Sequence, residues 1–168
     1  RALRNLCFKT ERRFLHDELG WNLRMSNLQA AVGLAQLERL DAHIENKREI
    51  GVRYRANLSL VPELQLAPHE TSYATNVYWV NGVVLNEEVC SAREIMSDLA
   101  TRGVGTRPFF FPLHKQPVLQ PFLTTQESLP QSERLGEYGF YLPSGLTLTN
   151  DDIDYCSQQL IDVLRNRI

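Results

Sequence analysis

Two stretches of the chain gather residue types that hold anions. In GWNLRMSNLQAAVGLAQLERL, Gly20 to Leu40, a loop with Trp21, Asn22, Arg24 and Met25 runs into a helix opened by Ser26 and, three residues on, Gln29. A helix N-terminus exposes backbone N–H groups and the positive end of the helix dipole. Arg24 adds a permanent cation whose fork matches phosphate, Asn22 adds a neutral donor, and Trp21 and Met25 supply apolar walls. The loop has the chemistry of a phosphate-binding edge. The plainer alternative is that Arg24 pairs with a local carboxylate and Asn22 caps a turn. The second stretch is TRPFFFPLH. Here Arg107 closes a strand, Phe109 and Phe111 are expected in the core, and Arg107 and His114 would form the polar rim of an aromatic pocket suited to a phosphorylated or nucleotide ligand.

No self-sufficient catalytic set accompanies them. The chain lacks a Gly-rich phosphate loop, a GxSxG elbow and a His/Cys metal cluster. His43, on a charged helix, and His69, in a polar loop, read as exposed. His16 and His114 differ, because each lies beside aromatic and arginine residues.

The elements that position these residues follow from pattern. Ser26 and Gln29 form a capping box, after which Leu37, Leu40, Ile44, Gly51, Tyr54 and Leu58 recur on one face, with Lys47 the exception on that stripe. Pro62 stops the helix. About 32 residues at ~1.5 Å rise span roughly 48 Å, long enough to bridge two domains or subunits. Small residues Ala30, Ala31, Gly33 and Ala35 line its first turns, either as a close-approach surface or as ordinary helix positions. NVYWVNGVVL, Asn76 to Leu85, is apolar on both faces and reads as a central strand covered on each side. Ser91 and Glu94 cap a helix through Ile95, Met96 and Leu99 that Gly103 closes. VGTRPFFFPLH supplies a second strand, and a loop runs from about Gln116 to Leu129. A short helix lies near Ser132–Tyr138, and a last helix from Thr149–Asp152 buries Ile153, Cys156, Leu160 and Leu164. Further strands fit within Gly139–Leu148 or Leu64–Ala67. The economical fold is α+β, an open sheet with helices on one face.

Bulk properties exclude several classes. The chain has 168 residues, 43% hydrophobic and 23% charged, with net charge −2. One substantial core is possible, and broad nucleic-acid binding lacks its basic footprint. Only the first thirteen residues are locally basic, with Arg1, Arg4, Lys9, Arg12 and Arg13 against Glu11, either a solvated edge or a phosphate contact. Cys7, Cys90 and Cys156 show neither disulfide nor metal spacing, which fits a reducing cytoplasm. No run of ~18 apolar residues offers a membrane span, and no signal peptide is visible. The opening RALRNLCF, without an initiator Met, is what a fragment would show.

HDELGWNLRMSNLQAAVGLAQLERLD resembles the H-x-x-x-G-(Y/F)-N-x-R-M-(S/T)-x-x-Q-A-A-x-G-x-x-Q-L signature of the DegT/DnrJ/EryC1/StrS sugar aminotransferases, pyridoxal-phosphate enzymes of the aspartate-aminotransferase fold (fold type I). The similarity continues through NVYWVNGVVL, GTRPFFFPLHKQPVL and YGFYLPSGLTLT, and RALRNLCF, NVYWV and TRPFFFPLHKQP look most like the GDP-perosamine synthase branch. The resemblance implies residues 1–25 as the end of the cofactor domain with a phosphate-facing loop, 26–60 as a long bridging helix, and 61–168 as the small C-terminal α+β domain. It implies a homodimer with shared active sites, in which Asn22 reaches the neighbour's pyridoxal 5'-phosphate and Arg24 faces the sugar-nucleotide phosphates. His16, Arg107, Phe110 and His114 match positions lining the substrate pocket. The implied reaction passes an amino group, from glutamate, to a 4-keto-6-deoxy sugar nucleotide such as GDP-4-keto-6-deoxymannose, in the cytoplasmic synthesis of O-antigen or another polysaccharide.

The resemblance also marks what is missing. Its Schiff-base lysine belongs to an earlier part of the family's length, and Lys9, Lys47 and Lys115 match none of its lysine context. The chain alone is therefore expected to be inactive. Departures from the family pattern are Trp21 at an aromatic position usually Tyr or Phe, Leu23 for a frequent Tyr, and Cys7 for a common Gly. A non-catalytic dimerisation or sugar-nucleotide-binding module stands as the alternative, and nucleic-acid binding through the basic N-terminal edge as a weaker third.

Overall fold

Capping chemistry sets most helix starts as expected. Ser26 N–H donates to Gln29 Oε1 at 2.8 Å and Gln29 N–H returns to Ser26 Oγ at 3.3 Å, opening α1 (Asn27–Leu37) in the reciprocal arrangement of a capping box. The computed structural model describes residues 2–9, 11, 14–86, 90–123 and 128–167. Arg1, Arg12 and Arg13 of the basic edge and residues 124–127 of the proline-rich loop lie outside the described residues.

The single bridging helix expected from Ser26 onward is two helices, α1 and α2 (Leu40–Leu58). No proline or glycine stands between them. Glu38 adopts φ −60° and ψ −21°, the tighter geometry of a 3₁₀ turn, and the Arg39 N–H goes back to Gln36 O. Two compact units divide the chain, Arg1–Ala42 and His43–Ile168. The expected apolar stripe is buried only in the second half of α2, at Gly51, Tyr54 and Leu58 with Ile50. Leu37 and Leu40 are exposed, and α1 buries none of its residues.

In the second unit, β1 (Leu64–Leu66), β2 (Asn81–Leu85), α3 (Ala92–Thr101), β3 (Arg107–Pro108), α4 (Pro130–Tyr138), β4 (Gly139–Leu142) and α5 (Asn150–Arg165) follow in order. The sheet is antiparallel throughout, ordered β1-β2-β4-β3. Both optional strands, in Leu64–Ala67 and Gly139–Leu148, are present. Register puts Val83 opposite Phe140 and Asn81 opposite Leu142. That face of the sheet shares one buried cluster with Ile50, Tyr54 and Leu58 of α2, Ile95 and Leu99 of α3, and Ile153, Leu160 and Leu164 of α5. The expected α+β fold, helices gathered on a small sheet, is what forms.

Local chemistry explains each boundary. β2 is central, but it begins at Asn81 rather than Asn76. The Asn76 carboxamide oxygen accepts the Tyr78 N–H at 2.7 Å, and Tyr78 takes φ +49°. An Asx turn has displaced the ladder there. β3 keeps two residues at the sheet edge, where Pro108 has no N–H to give. α3 ends in a Schellman motif. Gly103 at φ +76° follows the helix, its N–H and that of Val104 donate to Ala100 O and Leu99 O, and Val104 and Leu99 are both buried. In place of an open loop after Gln116, a 3₁₀ helix covers Pro117–Phe122. Thr149 and Asp152 cap α5 reciprocally.

The second face of the sheet is covered by an aromatic side chain laid on glycines. A Cβ on Gly82 would meet Phe109 Cζ at 2.8 Å, and one on Gly139 would also strike the Phe109 ring. Tyr141 flanks it, ring centroids 4.8 Å apart. Lys47, the exception on the apolar stripe, donates to the backbone oxygens of Trp79 and Ser144 and so ties α2 to one end of the β2–β4 pair, where β2 begins and β4 finishes.

Candidate functional site

In the first unit, the phosphate-facing loop is held by a short hook of backbone. Asn5 and Asn22 form an antiparallel bridge. Leu6 N–H donates to Trp21 O at 3.0 Å, Trp21 N–H to Leu3 O at 2.7 Å, and Leu23 N–H to Arg4 O at 2.9 Å. The hook closes through two successive residues at positive φ, Leu6 at 56° and Cys7 at 51°, where L side chains cost roughly 1–2 kcal/mol each. Gly20 packs directly on that turn, since a Cβ there would collide with Leu6 and Cys7 backbone atoms. The family's common glycine at position 7 thus has a conformational reason.

Replacing Cys7 by glycine is expected to leave the protein more stable than replacing it by alanine, by about 1 kcal/mol. At an ordinary buried site alanine would be the better residue. Urea unfolding followed by Trp21 fluorescence in a Trp79→Phe background measures the difference. Equal or inverted stabilities would contradict it.

Asn22 and Arg24 are both exposed, and Arg24 Nε lies 3.4 Å from Asn22 Oδ1. Among the described residues Arg24 has no carboxylate partner. With its oxygen facing Arg24, the Asn22 carboxamide retains two donor hydrogens on Nδ2. The α1 N-terminus carries no acidic residue in its first turn, but its capping box already satisfies the Gln29 N–H, so part of the expected anion site is filled by the cap itself. Trp21 and Met25 are 59% and 68% exposed and wall nothing within this chain. His16 Nδ1 donates to Leu6 O at 2.6 Å and its ring lies 5.2 Å from that of Phe8. His16, Asn22 and Arg24 therefore all hang from the same hook. Sequence reasoning passed over Asn5, whose buried Oδ1 has no partner among the described residues.

In the second unit the expected aromatic pocket is built differently. Phe109 and Phe111, with Met96, Pro112, Lys115 and Glu133, line an open cavity of about 650 Å³. Phe111, expected in the core, is 55% exposed. Arg107 lies exposed on the edge strand β3 and Phe110 is 75% exposed, its ring edge-on to Tyr141. Neither joins the cavity lining, nor does His114. The rim carries Lys115 and Glu133 where Arg107 and His114 were expected, because Phe109 turns onto the sheet glycines while Phe110 points away. His114 is 12% exposed at its side chain and Nε2 lies 3.0 Å from Glu133 Oε1. Lys115 bonds the other carboxylate oxygen and Leu129 N–H reaches Oε1 at 3.4 Å. These contacts, led by Lys115 and then His114, pull the Glu133 carboxyl down to about 2.

Two other histidines differ from expectation. His43 is half-buried, and His69 stacks on Tyr78 with Nδ1 2.9 Å from the phenol oxygen. Among the described residues no three His, Cys, Asp or Glu side chains converge to hold a metal, and no described helix is long and apolar enough to cross a membrane. The three cysteines are free.

The donor set fits one end of pyridoxal phosphate. An exposed carboxamide beside a guanidinium with no carboxylate partner among the described residues suits a phosphate group. Each lysine is already engaged among the described residues: Lys9 pairs with Asp17, Lys115 pairs with Glu133, and Lys47 is held by two carbonyls.

The model of the DegT/DnrJ/EryC1/StrS aminotransferase family matches residues 1–161. Over 165 residues the chain is 34% identical to the GDP-perosamine synthase of Caulobacter vibrioides, covering 98% of this chain and 44% of that protein. The crystal structure of the aminotransferase TlmJ from Streptoalloteichus hindustanus aligns with a TM-score of 0.86 at 26% identity, over 99% of this chain and 44% of that one. DesI, solved in the presence of its TDP-sugar product, aligns with a TM-score of 0.83 at 27% identity, over 99% of this chain and 42% of that one. The chain spans less than half the length of the relatives it matches. It belongs to the DegT/DnrJ/EryC1/StrS aminotransferase family.

Proposed function

We propose that this chain supplies the small domain and the phosphate-facing loop of a pyridoxal-phosphate-dependent sugar-nucleotide aminotransferase. Asn22 would hold the cofactor phosphate of a partner subunit, and Arg24 the phosphates of the sugar nucleotide. His16, Arg107, Phe110 and His114 would line the substrate pocket. The cofactor, when bound, carries the amino group between donor and sugar. This chain's own residues bind and orient. The observation that carries the reading is the Asn22–Arg24 pair, exposed, without a carboxylate partner among the described residues and fixed by the strained hook at Leu6–Cys7. The similarity to a GDP-perosamine synthase favours a GDP-linked 4-keto-6-deoxy sugar such as GDP-4-keto-6-deoxymannose, with glutamate as donor, in O-antigen or related polysaccharide synthesis in the cytoplasm. A homodimer with shared sites accounts for the bare apolar residues of α1, among them Leu28 at 83% and Val32 at 65% exposure. Residues 1–25, 26–60 and 61–168 would serve as loop, bridge and small domain.

The test uses the complete reading frame that carries this segment. Arg24→Ala is expected to raise KM for the sugar nucleotide at least tenfold, the loss of about one charge-assisted hydrogen bond, with the melting temperature unchanged. Asn22→Ala should release the cofactor more readily, and mixed dimers should recover activity at the site whose loop is intact. Wild-type kinetics in both variants would make the loop structural and end this reading. A non-catalytic dimerisation or binding module is the second reading, favoured by the engagement of all three lysines in bonds within the chain.

A further inference from the structure

We propose that His16 is a positioning residue for the phosphate-facing loop: its Nδ1–H fixes the strained turn at Leu6–Cys7 from which Asn22 and Arg24 hang. The inference rests on the reading of Asn22 and Arg24 as phosphate ligands. Any contact of His16 with the substrate itself would use the rest of the ring.

A carbonyl oxygen only accepts. His16 Nδ1, 2.6 Å from Leu6 O, therefore carries a hydrogen, in the neutral ring and in the charged ring alike. Leu6 is gripped on both sides, its N–H by Trp21 O at 3.0 Å and its oxygen by the imidazole. Among the described residues no backbone N–H reaches that oxygen. The imidazole is thus what keeps the peptide unit between Leu6 and Cys7 from turning. Both residues stand at positive φ, a conformation that persists only where neighbouring contacts impose it. The His16 ring also rests on Phe8, centroids 5.2 Å apart, which limits its own swing.

That peptide unit sets the loop. A Cβ on Gly20 would strike Leu6 Cα and C and Cys7 N, so the unit cannot turn without displacing the residue before Trp21. Trp21 O is bound to Leu6 N–H, and Leu23 N–H to Arg4 O. Asn22 lies between them, bridged to Asn5. A shift at Leu6 therefore reaches both Asn22 and Arg24. A direct contact of His16 with substrate would disturb one ligand. Loss of the hook disturbs two, the cofactor phosphate and the sugar-nucleotide phosphates.

The complete enzyme tests this with two amides. The side-chain N–H of asparagine can take the place of Nδ1–H, whereas that of glutamine falls nearer the place of Nε2. Apoenzyme titrated with pyridoxamine 5'-phosphate, which binds without a covalent bond, reads the grip on the cofactor phosphate. His16→Gln should weaken that binding about tenfold, the loss of one charge-assisted hydrogen bond, and raise KM for the sugar nucleotide with it. His16→Asn should restore the cofactor affinity of wild type. Unchanged cofactor affinity in His16→Gln overturns the proposal, and a raised KM beside it would make His16 a direct substrate contact instead. Equal weakening in His16→Asn also overturns it, because the Nδ1 bond is then not the cause. Cofactor binding that Asn22→Ala leaves unchanged takes down the reading beneath it as well. 15N-edited NMR of the wild type gives an answer that no folding failure touches: a pyrrole-type Nδ1 on His16 at neutral pH is expected, and a pyridine-type Nδ1 overturns the bond itself.

Discussion

Gly51→Ala is expected to destabilise the protein by about 2 kcal/mol, lowering the thermal midpoint by roughly 4–8 °C. Gly51 sits inside α2 and is buried, so on helix propensity alone alanine should help by up to ~1 kcal/mol. Packing reverses the sign. A methyl on Gly51 would fall within the ring of Tyr78, and Tyr78 is not free to move. It is 5% exposed, its N–H is held by Asn76, its phenol meets His69 Nδ1, and its backbone is already at φ +49°. The collision must be relieved by shifting α2 or by breaking the Asx turn that precedes β2. Gly33→Ala is the internal control. Nothing lies within 4 Å of a Cβ there, so alanine should stabilise α1 in this chain by about 0.5–1 kcal/mol. Differential scanning calorimetry of the two variants reads both signs. A stabilised Gly51→Ala would mean that the α2–Tyr78 packing is wrong.

That same Tyr78 shows where sequence reading fails. NVYWVNGVVL has the composition of one long buried strand, and the half after Asn81 behaves as one. The first half does not, because a single carboxamide at Asn76 offers its oxygen to a backbone N–H two residues on, and no hydrophobic pattern encodes that choice. The elements that were legible carry local, self-contained signals: α3 and α5 announce themselves by caps at Ser91 and Thr149 and by apolar spacing, and Gly103 by the left-handed residue a Schellman stop requires. The split of the long helix at Glu38 has no residue that breaks helices and could not be read in advance.

The site was legible by halves for the same reason. Asn22 and Arg24 lie two residues apart beside a helix cap, so their juxtaposition is local and survives into the structure. Cys7 stood out only against the family's glycine, and its positive φ supplies the cause. The second pocket depends on distant parts of the chain. Which of Phe109, Phe110 and Phe111 turns inward is decided by the glycines at 82 and 139, and the partner of His114 arrives from α4. Glu133 looked like any acid on a short helix, and nothing near it in sequence marks the pair it forms.

Added pyridoxal phosphate is expected to give no specific covalent adduct with this 168-residue chain. After borohydride reduction, peptide mapping should find labelling spread over Lys9, Lys47 and Lys115, well below one equivalent and without saturation. A lysine that attacks an aldehyde must present a neutral amine. Lys9 and Lys115 are each held by a carboxylate, a bond that attack on an aldehyde would have to break. Lys47 is the nearest to an exception, since partial burial pulls its amine below the ordinary range. Its hydrogens are nonetheless committed to the oxygens of Trp79 and Ser144, and taking Lys47 out of those bonds would release α2 from the ends of β2 and β4. Reaction there would be accompanied by loss of near-ultraviolet dichroism, whereas a lysine built for the cofactor would react without unfolding. One saturable lysine at one equivalent, with the fold intact, would show that the chain carries its own cofactor site and would overturn the assignment of that lysine to another part of the enzyme.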